Sequence, residues 1–196
     1  SPILDPLHHL PPDYPVVSDE YLDRLQDGFV AAAKLAAEAG FDGVDVKACH
    51  RYLVSELLAS FTREGKYGGS FENRTRLNAY DGIRHPYGFG VDEWDEGRPD
   101  LREPLELARQ LRALGLRLLN VSIGNPYFNP HLGRPFDFPV AGMAPPAENP
   151  LEGIARFVAI TRAVQEADPD LAVIGSGYGW LRHFMPNLAA GVVRAG

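Results

Sequence analysis

The 196-residue chain is short of several things, and each shortage removes a class of function. Cys49 is the single cysteine, so no disulfide forms within the chain and the expected setting is a reducing cytoplasm. No run of about eighteen apolar residues occurs, which excludes a hydropathic membrane span. The opening SPILDPLHHLPPDYPVV has neither a basic start nor an unbroken apolar stretch, so it does not read as a secretion signal. Lysine and arginine form no block and the net charge is -7, so a nucleic-acid surface is not expected. The histidines His8, His9, His85, His131 and His183 lack metal-ligand spacing; solvated or capping roles and no metal are expected.

What the sequence does have is a repeated order of helix, short apolar strand and polar loop. Residues 1–17 read as an extended, proline-rich lead-in. Ser18 is placed to cap a helix whose stripe is Leu22, Leu25, Phe29, Ala32, Ala36 and Ala39, ending at Gly40. A strand over residues 43–47 follows, then a short helix over 52–60 and a glycine-rich turn over 64–70. Leu105, Ala108, Leu111 and Leu114 mark a second helix over 104–114, followed by a strand over 117–122 and a long loop over 124–149. Asn149, Pro150 and Glu152 start a third helix over 150–167, which feeds a strand over 171–175. A last helix is expected over 181–194. Helices alternating with apolar strands imply an α/β fold with one parallel sheet, helices outside it, and functional loops at the strands' C-terminal ends.

The chemistry concentrates where the first strand should end. Gly43-Val-Asp-Val-Lys-Ala-Cys-His-Arg-Tyr52 runs from apolar residues into Lys47, His50 and Tyr52. Lysine and histidine offer two donors to a developing oxyanion, and tyrosine offers a separable proton. The residues alone leave a second reading open, with Lys47 paired to an acid, His50 satisfied in the interior and Tyr52 in the core. Adjacent residues point apart, so Cys49 is not expected to pair with His50 as a nucleophile; packing is its expected role.

The segment from Phe41 to Arg76, with the block Tyr67-Gly-Gly-Ser-Phe-Glu-Asn-Arg74, resembles the old yellow enzyme family of FMN-dependent NADH:flavin oxidoreductases. The strand Leu118-Leu-Asn-Val-Ser122 and the Gly-Ser-Gly after Ile174 fall in the family's order. The resemblance implies a (β/α)8 TIM barrel, of which this chain is one partial domain over 1–196, without the first strands and the last. It also implies FMN as cofactor, NADH or NADPH as reductant, and hydride passing through the flavin to a small electrophilic acceptor. His50 then matches a donor to the acceptor's activating oxygen and Tyr52 the proton donor. Lys47 stands where most members carry a first histidine. Gly175, Ser176 and Gly177 match a loop near the FMN phosphate. Arg76 either ends the first block or opens a further strand, and on the second placement it contacts the flavin. From charge and hydropathy neither a nucleic-acid nor a membrane partner is expected, and a small electrophilic substrate and a homo-oligomer are compatible with the sequence. Two alternatives stand beside it: a Schiff-base lyase using Lys47, and a truncated, non-catalytic remnant.

Overall fold

The computed structural model describes residues 2–50, 52–69 and 79–195. The helices begin where the capping residues sit. Ser18 accepts a hydrogen bond from the Tyr21 amide at 3.2 Å and opens α1, Asp19–Glu38. Tyr52 precedes α2, Leu53–Leu58. α3, Arg102–Ala113, starts two residues ahead of its expected proline, which lies inside the first turn where no amide donor is required. Asn149 and Glu152 form the full capping box of α5, Pro150–Ala167: the Asn149 side chain accepts from the helix amides, and Glu152 accepts from the Asn149 amide at 3.1 Å.

Two strands are regular, β1 (Leu118–Asn120) and β2 (Ala172–Ile174). They pair in parallel with Leu119 opposite Val173. β1 keeps a partner on its other side past its regular end. Tyr80 bridges Ile123 in parallel and the Ala79 amide donates to the Ser122 carbonyl at 3.3 Å, while on the β2 side the Val121 amide donates to the Ile174 carbonyl at 2.9 Å. Three consecutive chain passes therefore lie side by side in parallel. This is an α/β arrangement with crossovers through α3 and α5.

α5 and α3 cover one face of this sheet. Leu119, Val121, Ile123, Tyr80, Ala108, Phe157, Ile160, Val164 and Leu171 form the main core. Leu58, Phe89 and Leu107 form a smaller one. The other face is open: Leu118 and Ile174 are 55% and 45% exposed.

Five expectations are corrected. Residues 43–47 form no strand and are exposed, with Val44 and Val46 about half accessible; a strand needs a ladder partner, and none of the described residues supplies one. α1 accordingly lacks a sheet to cover, and only Leu22 of its apolar stripe is buried. The long loop contains a short helix, α4, Pro130–Gly133. The last helix is broken: a 3₁₀ stretch over Tyr178–Phe184, with a non-helical Arg182, precedes α6, Met185–Ala195. The lead-in is folded into turns over residues 2–13, around a 3₁₀ turn at Pro6–His8, before it runs out to α1, and it buries Leu4. Among the described residues no helix is long and apolar enough to cross a membrane.

Candidate functional site

The turn from Lys47 to Tyr52 is anchored at both ends. Ala48 is buried, and the half-buried Cys49 thiol hydrogen-bonds the Ser122 side chain just beyond β1. Burial raises the Cys49 pKa, the opposite of what a nucleophilic thiolate needs, and this fits the packing role expected of it. At the other end, the Tyr52 amide closes onto the Cys49 carbonyl at 3.4 Å and Tyr52 becomes the N-cap residue of α2.

Between these anchors His50 adopts a left-handed backbone with φ 59°. A side chain bearing a Cβ reaches that region at a cost, and such local strain concentrates at sites where direction of a side chain matters. The imidazole is part-buried. Desolvation first, and then the charge of Lys47, lower its pKa, so it is a neutral ring with one N–H to donate near neutral pH. The Lys47 ammonium lies over the Tyr52 ring, 4.0 Å from its centroid. It makes no ion pair among the described residues. Tyr52 is 55% exposed, so it is not the core residue of the alternative reading. Lys47, His50 and Tyr52 are thus brought into one turn, with a cationic donor, a neutral donor and a phenol.

The glycine-rich loop after β2 lies at the same end of the sheet. The Ser176 hydroxyl donates to the Val121 carbonyl at 2.7 Å, one residue before the Ser122 that holds Cys49. An added Cβ at Gly175 would meet the Tyr178 hydroxyl at 2.2 Å, so the tyrosine ring would have to shift. Gly177 has φ 84°, and a Cβ there would meet Phe157 at 2.3 Å. The Tyr178 hydroxyl is buried without a hydrogen-bond partner. An orphaned buried donor beside a glycine loop is what an anionic phosphate group would satisfy. The residues present therefore fit the phosphate end of a nucleotide such as FMN. Arg76 and most of the Tyr67-to-Arg74 block lie outside the described residues. Tyr67 itself is fastened to α1, donating to Asp23 while Gln26 donates to it, and Lys66 pairs with Asp23 at 2.6 Å.

A cavity of about 800 Å³ opens between the lead-in, α2 and the strand ends at Asp81 and Asn125. Neither the Lys47–Tyr52 turn nor the glycine loop lines it. The geometry of the turn, not cavity size, identifies the candidate site.

Two features escape sequence reasoning. His131 is buried with neither ring nitrogen partnered, not solvated as expected; nothing local in Asn129-Pro-His131 marks it as interior. Tyr178 carries no motif signal either, since its orphaned hydroxyl depends on the fold around Gly175. Among the described residues no three potential ligands gather to hold a metal ion.

Residues 14–79 match the model of the NADH:flavin oxidoreductase / NADH oxidase family. The chain is 35% identical over 115 residues to an NADH oxidase of Thermoanaerobacter brockii, a match covering 53% of this chain and 18% of that protein. It is 30% identical over 122 residues to an NADPH dehydrogenase of Halalkalibacterium halodurans, covering 55% and 35%. A NADH:flavin oxidoreductase of Gibberella zeae is 47% identical over 60 residues, covering 30% and 14%. The chain thus spans little more than a third of even the NADPH dehydrogenase. Lys47, His50 and Tyr52 fall inside the matched family segment; Gly175, Ser176 and Gly177 do not.

Proposed function

We propose that the chain, whose residues 14–79 match the NADH:flavin oxidoreductase / NADH oxidase family, the old yellow enzymes, serves an FMN-dependent NAD(P)H oxidoreductase of the ene-reductase type. Within that reading it is part of a (β/α)8 barrel, and the three parallel passes around β1 are consecutive barrel strands. When bound, FMN supplies the hydride chemistry, between reduced nicotinamide and an electron-poor C=C acceptor. Gly175, Ser176 and Gly177 would hold its phosphate with the Tyr178 hydroxyl, and Arg76, outside the described residues, stands as a candidate flavin contact on the placement that opens a further strand.

The chain's own residues act on the acceptor. Lys47 and the neutral His50 donate to the oxygen that activates the double bond, and their hydrogen bonds strengthen as that oxygen gains charge. Tyr52 gives a proton to the carbon that becomes a carbanion, and its exposure lets solvent restore it. The single observation that carries this reading is the turn itself: Lys47 and Tyr52 in contact at 4.0 Å, with His50 held between them in a left-handed conformation.

The test is anaerobic oxidation of NADH or NADPH by the protein in excess FMN, with and without a cyclic enone. The proposal expects enone-dependent oxidation and recovery of the saturated ketone. Nicotinamide oxidation that is indifferent to the enone, with no saturated product, would overturn it.

A further inference from the structure

We infer that the Tyr52 ring is also the seat of the Lys47 ammonium, so that Tyr52 is a positioning residue for the cationic donor as well as the source of the proton. The inference rests on the reading of this turn as an acceptor site, and it adds a separable second role for one side chain.

A lysine on an exposed turn ordinarily samples many rotamers, and a point charge on a flexible stem makes a poor directional donor. Lys47 is such a residue: it is exposed, on a stretch without strand partners, with no carboxylate paired to it among the described residues. What it has is an aromatic face. The Nζ stands 4.0 Å from the Tyr52 centroid, within the range in which the ring's negative face attracts a cation. The backbone that carries the ring is fixed, because Tyr52 has the extended conformation of an N-cap residue, φ -69° and ψ 157°, and leads directly into α2, whose Val54, Leu57 and Leu58 are buried. The contact also explains how a lysine serves where a flat imidazole donor is more usual. With the ammonium on the ring its charge is felt at His50, whose pKa is lowered first by burial and then by Lys47. The attraction needs the π face and not the hydroxyl, so the two roles of Tyr52 separate chemically. Phenylalanine keeps the seat and loses the proton; leucine loses both.

The chain has three lysines, Lys34, Lys47 and Lys66, which makes a direct readout simple. Lysine labelled at Cε is followed by NMR in the wild-type chain, Tyr52→Phe and Tyr52→Leu. The ε-methylene protons of Lys47 should resonate upfield of those of Lys34, which has no ring contact among those described. The displacement should persist in Tyr52→Phe and vanish in Tyr52→Leu. Lys66, 5.2 Å from the Tyr67 centroid, should stay unchanged in all three and reports that the fold is intact. In the FMN-loaded protein the KM for an enone should rise about two- to fivefold from Tyr52→Phe to Tyr52→Leu, the scale of an exposed cation–π contact. A Lys47 resonance coincident with that of Lys34 in the wild type, or one unmoved by Tyr52→Leu, would overturn the inference. An upfield Lys47 in a protein that turns over no acceptor would leave the seat standing and remove the oxidoreductase reading instead.

Discussion

His50 carries two costs, a left-handed backbone and an imidazole that resists protonation, and both have identifiable causes. Burial and the Lys47 ammonium lower its pKa from the ordinary 6.5. Replacing Lys47 with methionine should therefore raise the His50 titration midpoint toward 6.5 without reaching it, since burial remains. NMR titration of the His50 ring checks this, and an unchanged midpoint would mean that the ammonium does not face the imidazole. The sign for stability follows. Between the unfolded value and the lowered folded one, the unfolded chain binds more protons. Stability contributed through His50 is therefore complete above about pH 6.5 and declines as the pH falls through the folded value. Of the individual residues, Lys47, His50 and Tyr52 are legible in the sequence because chemistry-bearing types at the end of an apolar stretch are unusual. The seating of Lys47 on Tyr52 is not, because it depends on where the turn bends, at a left-handed His50 that no neighbouring residue announces.

At the scale of elements, the loop after β2 shows why glycine stands where it does. Gly177 is at φ 84° with Phe157 of α5 against it, so Gly177→Ala introduces both a strained backbone and a side-chain clash. The expected cost is about 2–4 kcal/mol, read as a lower denaturation midpoint at unchanged slope. A variant as stable as the parent would mean that the loop rearranges easily and is a poor phosphate cradle. Helix positions are readable because their signals are local: Ser18, Asn149 and Glu152 satisfy amide groups within a few residues of themselves. The absence of a strand at 43–47 is not readable from such signals. Alternating Val44 and Val46 describe a surface suited to pleating, but pairing depends on another segment's backbone, and none of the described residues supplies one. The break at Arg182 is equally hidden. No glycine or proline stands in Leu181-Arg-His-Phe184 to announce it. The 3₁₀ stretch is held in part from a distance, by Trp180 donating to Asp137 of the long loop at 2.6 Å.

The whole molecule has a sheet finished on one face and open on the other. α3 and α5 bury Leu119, Phe157 and their neighbours, whereas Leu118, Ile174, Val44 and Val46 remain exposed. The parallel order of the sheet follows from the helix–strand alternation. Its extent does not, because how many strands close around a core is a property of the assembled fold. The described residues give a cofactor one candidate phosphate loop, and that loop does not line the cavity at the strand ends. The 196-residue chain is therefore expected to bind FMN weakly, and fluorescence titration yielding a submicromolar Kd would contradict this.

Joining these scales, the turn from Lys47 to Tyr52 handles an activated acceptor in the proposed reaction, and Tyr52 delivers its proton. Stopped-flow absorbance in saturating FMN separates reduction by nicotinamide from reoxidation by an enone, and comparing Tyr52→Phe with the parent isolates the phenol. The expected result is an unchanged first phase and a second phase slowed about a hundred- to ten-thousandfold, the usual worth of a positioned general acid. A second phase as fast in Tyr52→Phe as in the parent would contradict it.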